Sequence, residues 1–119
     1  MKIDNNSTLL FIGDSITDTD RNRPVGERDG LGTGYVSIVD GQLAVRHPET
    51  HIRVLNTGIS GNRVIDLRDR WEDDVLALKP DWLTIMIGIN DVWRQFDNPM
   101  LAEQVGLDEF RTIYEELIK

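Results

Sequence analysis

Cysteine is absent from this 119-residue sequence, and histidine occurs only twice. Without thiols there is no disulfide, no thiolate nucleophile and no cysteine-ligated zinc. Basic residues are outnumbered, 13 Lys and Arg against 21 Asp and Glu, for a formal charge of -8. A surface of that sign repels phosphate, which argues against nucleic acid or an anionic membrane as partner. No apolar run approaches the roughly 20 residues that cross a bilayer. The N-terminus, Met1-Lys2-Ile3-Asp4-Asn5-Asn6, turns polar before a signal-peptide core can form, so a cytoplasmic protein is expected. The length suits a single core, and no repeat, low-complexity tract or linker divides the chain.

Three short apolar runs are present, Thr8 to Ile12, Ile52 to Asn56 and Trp82 to Ile87, each followed closely by glycine. Such runs read as strands buried on both faces. Between them the apolar spacing is helical: Tyr35, Val39 and Leu43 in one segment, then Val64, Leu67, Trp71, Val75 and Leu78 in what reads as one long helix. Pro48 and Pro80 stop these helices. A last helix carries Leu107, Phe110, Tyr114 and Leu117 on one face. The order βαβαβα predicts a doubly wound, three-layer α/β/α fold around a flavodoxin-like parallel sheet. Ligands bind such sheets at the carboxyl ends of the strands. The long stretch from Asp18 to Thr33, expected to be irregular, would rim that same end.

Each strand is followed there by residues able to do chemistry: Gly13-Asp14-Ser15, then Ile59-Ser60-Gly61-Asn62, then Gly88-Ile89-Asn90-Asp91. A serine on a tight strand-to-helix turn exposes its hydroxyl, and neighbouring glycines let backbone N–H groups approach a carbonyl oxygen. The Asn90 amide supplies a further donor. Any one of these loops alone is better explained as ordinary turn chemistry, in which Gly, Asp, Ser and Asn need no catalytic reason.

The three loops together resemble the motifs of the SGNH (GDSL-type) serine hydrolase family. Gly13-Asp14-Ser15 is similar to its first motif, Gly61 to its second, and Gly88-Ile89-Asn90-Asp91 to its third, in order and at family-like spacing. A three-residue match arises by chance in about one or two per cent of chains this long, so two in the right context are informative. The stretches Leu10 to Thr17 and Lys79 to Phe96 look most like bacterial xylan acetylesterases. The resemblance implies that the chain is the N-terminal part, residues 1–119, of a single domain of the SGNH hydrolase fold, ending after the third strand and its helix. It also implies a carboxylic-ester hydrolase that deacetylates carbohydrate through an acyl-Ser15 intermediate, with the Ser15 and Gly61 N–H groups and the Asn90 side chain holding the oxyanion. Asp14 and Asp91 would support these loops, although both are equally readable as turn caps. No metal or organic cofactor is implied, and the expected partner is a small ester or acetylated carbohydrate.

One departure matters. The family completes its triad with an Asp-x-x-His element, and neither His47 nor His51 has an aspartate three residues before it. Both are expected in the turn before the second strand, at the far end of the sheet from Ser15, so the chain alone should be nearly inactive. The rival reading is a non-catalytic α/β fragment acting as a binding or assembly module. Ending near the third strand would leave an apolar edge that seeks a second copy or a complementary C-terminal segment. Trp93, Arg94 and Phe96 are candidate walls of a substrate pocket, with Arg94 holding a sugar hydroxyl or carboxylate; the alternative is that Trp93 and Phe96 pack under the loop. Asp18-x-Asp20-x-Asn22 begins like a calcium loop but has Arg23 where glycine is required. Gly30-Leu31-Gly32-Thr33-Gly34 lacks dinucleotide spacing and is expected to turn the rim loop into a helix.

Overall fold

Side chains alternate across a strand, and that period of two decides the layering. The computed structural model describes residues 2–97 and 104–119. Its elements are β1 (Thr8–Gly13), α1 (Ser15–Asp18), β2 (Gly26–Glu27), α2 (Tyr35–Arg46), β3 (Arg53–Asn56), α3 (Val64–Asp69), α4 (Trp71–Asp74), β4 (Trp82–Met86), α5 (Ile89–Asp97) and α6 (Leu107–Leu117). Leu9 and Phe11 of β1 join Val54 of β3 on one face, where α2 covers them with Tyr35, Val36, Val39 and Leu43. Leu10, Ile12 and Leu55 face the other way and are covered by Leu67, Trp71, Val75 and Leu117. Three layers result, as the sequence pattern predicts. Among the described residues no helix is long and apolar enough to cross a membrane.

The sheet order is β2-β3-β1-β4. β1 pairs in parallel with β3 and with β4, so Leu10 lies opposite both Leu55 and Leu83. The chain goes from β1 outward to β3 and then returns past β1 to β4, which puts the topological switch point at the carboxyl end of β1. Gly13 closes that strand where a Cβ would stand 2.3 Å from the Met86 carbonyl oxygen, so only glycine lets the two strands meet there. Among the described residues β4 pairs with β1 alone, and Trp82 and Met86 are 45% and 46% exposed.

Four expectations are corrected. The stretch from Asp18 to Thr33 holds β2, which pairs antiparallel with β3 and is tied to it by Glu27, whose carboxylate accepts from Arg53 at 2.6 and 3.0 Å. Two residues are too few to carry a periodic signal. The single helix expected from Val64 to Leu78 is three pieces, α3, α4 and a 3₁₀ turn at Leu76–Leu78, broken at Arg70 and Val75. The apolar rhythm survives the breaks because Leu67, Trp71, Val75 and Leu78 still pack on one face. Helix α5 forms directly after β4, where the apolar spacing predicts no helix. In α6 the inward face is Phe110, Ile113, Tyr114 and Leu117, whereas Leu107 is 76% exposed.

Candidate active site

Ser15 is the first residue of α1, immediately after the switch point, and its side chain is exposed. Asp14 beneath it is buried; its Oδ1 accepts the Ile16 N–H at 3.0 Å, and its carbonyl accepts from Thr17 and Asp18 at 3.1 and 2.8 Å. The aspartate therefore caps the turn that presents the serine, by the usual N-cap mechanism. Thr17 locks the same turn to α2 through a 2.7 Å hydrogen bond with the Tyr35 hydroxyl.

Gly61 lies in a turn closed by the Asn62 N–H on the Ile59 carbonyl at 3.2 Å, with φ of +83°. That is the third position of a type II turn, where a positive φ demands glycine and the central amide makes no bond within the turn. The loop is held from both ends. Ile59 donates to Gly13 at 3.0 Å, and Ser60 donates its N–H and hydroxyl to Asp18 Oδ2 at 2.9 and 3.1 Å. Asp18 also takes the Arg23 guanidinium in a fork at 3.0 and 2.7 Å, which holds its carboxyl well below the usual carboxylate range. Both of its oxygens are thus engaged by protein donors.

The third loop is joined to the second by two contacts. Asn90 Nδ2 donates to the Asn62 carbonyl at 3.1 Å, next to Gly61. Asp91, 4% exposed, accepts the Val64 N–H at the start of α3 with both oxygens at 3.2 Å, and burial pushes its carboxyl up to about 6. So the two supporting aspartates do different things: Asp14 caps its own turn, while Asp91 reaches across to another helix. Arg94 extends from α5 toward the second loop, with Nη2 3.9 Å from where a Cβ on Gly61 would stand and Nη1 on Asp97 at 2.9 Å.

Ser15, Gly61, Asn90 and Arg94 are therefore gathered at one edge. Trp93 and Phe96 are 57% and 77% exposed and do not pack under the loop, so that alternative is overturned. His47 caps the C-terminus of α2 and His51 precedes β3, its N–H held by Asn5 Oδ1 at 2.6 Å. Both sit at the amino end of the sheet, separated from Ser15 by the length of a six-residue strand, roughly 20 Å at ~3.3 Å per residue.

The motifs give no hint of the polar residues under the loops. Asn56 is fully buried; its Nδ2 donates to the Thr17 and Leu31 carbonyls at 2.7 and 3.0 Å, and its Oδ1 accepts from Gly58 at 2.9 Å. Arg21, 5% exposed, donates to the Gly58 carbonyl at 2.8 Å and to Pro24 at 2.7 Å. Arg70 is a third such residue. The available signal was chemical: a polar side chain closing an apolar strand run, and arginines beside the loops of a strongly acidic chain.

The chain as a whole is similar to known proteins. The chain is 58% identical over 121 residues to an acetylxylan esterase of Geobacillus stearothermophilus, matching 99% of its own length and 55% of that relative's. The crystal structure of that organism's acetylxylan esterase Axe2 superposes with a TM-score of 0.96 at 58% identity, again over 99% of this chain and 55% of the other. LAE5, an alpha/beta hydrolase from the metagenome of Lake Arreo, Spain, gives 0.92 at 44% identity, over 98% and 55%. The chain thus spans about half the length of these relatives. The model of the GDSL-like lipase/acylhydrolase family matches residues 11–119, most of the chain and all three motif loops, and the chain belongs to that family.

Proposed function

We propose that this chain carries the nucleophile and oxyanion hole of a carboxylic-ester hydrolase that removes acetyl groups from carbohydrate. One observation carries the reading: the hydrogen bond from Asn90 to Asn62 brings the third motif against Gly61 of the second, at the strand end where the first motif exposes Ser15. Ser15 Oγ attacks the ester carbonyl, its proton passing to a general base, and the carbonyl oxygen gains charge where the Ser15 and Gly61 N–H groups and the Asn90 amide converge. The tetrahedral intermediate expels the alcohol, which takes up a proton, and water then releases the acid from the acyl-serine. Arg94 and Trp93 line the approach on the side of the alcohol. The related Axe2 is an acetylxylan esterase, and its catalytic mutants replace a serine, a histidine and an aspartate by alanine. The last two residues stand three apart in that enzyme, the spacing of an Asp-x-x-His element.

The base for Ser15 comes, in this reading, from such an element supplied to residues 1–119 as the N-terminal part of one domain. The side of β4 that pairs with no strand among the described residues is where a complementary segment or a second copy would add. A cytoplasmic location belongs to the same proposal. A second reading, a non-catalytic binding or assembly module, is favoured by the placement of both histidines at the far end of the sheet.

p-Nitrophenyl acetate hydrolysis separates the two. The chain is assayed alone and with the C-terminal 45% of the Geobacillus relative, each against Ser15→Ala. Serine-dependent turnover on complementation supports the esterase. No serine-dependent turnover in either arm leaves the binding module, and turnover by the chain alone would mean that a different base serves Ser15.

A further inference from the structure

Arg70 lies at the break between α3 and α4, outside all three motif loops, and its side chain is only 14% exposed. Its guanidinium nevertheless touches the first two loops. Nη2 donates to the Gly13 carbonyl at 3.2 Å, Nη1 to the Thr57 carbonyl, and Nε to Asn62 Oδ1 at 2.8 Å. Gly13 is the last residue of β1 before Asp14 and Ser15, Thr57 follows β3, and Asn62 follows Gly61. Asp74 holds the fork from behind, accepting from Nη1 at 2.9 Å, while its own carbonyl accepts the Thr57 hydroxyl at 3.2 Å. A planar guanidinium has five N–H donors in fixed directions, so it can set several acceptors relative to one another, as an ammonium cannot.

The effect extends to the third loop. Asn62, oriented through its side chain by Arg70, gives its main-chain carbonyl to Asn90 Nδ2. A side-chain amide has two N–H groups, and with one committed to Asn62 the direction of the other is set. We propose that Arg70 is the positioning residue of the oxyanion hole, aligning the Ser15 turn, the Gly61 turn and the Asn90 amide through one guanidinium. This rests on the reading of Ser15, Gly61 and Asn90 as an acyl-transfer site. It also explains why the helix expected from Val64 to Leu78 breaks where it does: Arg70 has left helical geometry, with φ of -114° and ψ of 13°, at the point from which its side chain reaches the loops.

The ¹⁵N-labelled chain, phosphonylated at Ser15 by a fluorophosphonate with imidazole supplied as base, tests this directly. In the unmodified sequence the Gly61 amide and one Asn90 side-chain N–H are expected to move downfield in the adduct, because a phosphonyl oxygen takes the oxyanion's place. In Arg70→Met both shifts should fall by more than half and the labelling rate by about 100-fold, the loss that a ~1 Å misplacement produces. Arg70→Lys, which keeps the charge and loses the fork, should fall between. The Leu10 and Leu55 amides report whether the core is intact; if Arg70→Met loses them, Arg70→Lys is read by the same criteria. Wild-type shifts and rate in a variant with an intact core would overturn the positioning role. An unmodified chain that fails to label, or whose adduct moves neither Gly61 nor Asn90, would overturn the acyl-transfer reading itself.

Discussion

The side-chain amide of Asn90 donates to the main-chain carbonyl of Asn62 at 3.1 Å, across 28 residues of sequence. This contact joins two of the motif loops. Asn90→Ala should slow fluorophosphonate labelling of Ser15 by about 10²–10³, the size seen when one oxyanion donor is removed. Stability should change by only about 1 kcal/mol for the acceptor left unpaired. Labelling kinetics and a thermal melt on the same sample check both, and an unchanged rate would remove Asn90 from the hole.

Ser15 is exposed and sits on a turn that Asp14 and Thr17 hold without it. Ser15→Ala should therefore abolish labelling, read as intact mass, while shifting stability by no more than about 0.5 kcal/mol. Residual labelling at another residue would show that the probe reports something else.

Asp91 should make stability depend on pH in an unusual direction. Its folded pKa, about 6 and raised by burial, lies above the ordinary value of 3.8. Between these values the native state binds more protons than the unfolded chain, so this contribution weakens as pH rises from about 4 to 6 and is flat above. A two-unit shift corresponds to about 3 kcal/mol. Melting curves from pH 4 to 8 should show the loss in the wild type and not in Asp91→Asn. Parallel curves would mean that Asp91 titrates normally.

Two glycines should differ in the cost of a methyl group. Gly61→Ala meets only Arg94 Nη2 at 3.9 Å, so its penalty is the positive φ alone, about 1–2 kcal/mol. Gly13→Ala would press on the Met86 carbonyl oxygen at 2.3 Å and Thr17 Oγ1 at 2.7 Å, and should lose about 3 kcal/mol or more. Denaturant unfolding of both variants ranks them, and equal losses would contradict the close approach of β1 to β4.

The side of β4 that pairs with no strand among the described residues, with Trp82 and Met86 half exposed, should drive concentration-dependent association at tens of micromolar. Sedimentation velocity is expected to show it in the wild type and less of it in Met86→Lys. A single monomeric species at every concentration would count against edge pairing.

Much of this was legible beforehand, for identifiable reasons. The runs Thr8 to Ile12, Ile52 to Asn56 and Trp82 to Ile87 match β1, β3 and β4 to within a residue or two, because buried parallel strands need continuous apolar character and glycine must follow. β2 was invisible because two residues carry no period. The break at Arg70 was invisible for a different reason: leucine, tryptophan and valine spacing records which side packs inward, and that side is the same whether the backbone runs as one helix or three pieces.

The linear sequence by itself determined the three motif loops and the sheet edge on which they open, since strand direction and side-chain alternation are local properties. It likewise pointed to both histidines lying at the end of the sheet opposite Ser15, because they precede the second strand. Only the tertiary structure decided how the loops are joined. Asn90 meets Asn62 across 28 residues, Asp91 meets Val64 across 27, and Arg70 meets Gly13 across 57. A hydrogen bond of that span leaves no period in the chain, because its partners are chosen by the packing of strands and helices and not by their neighbours in sequence.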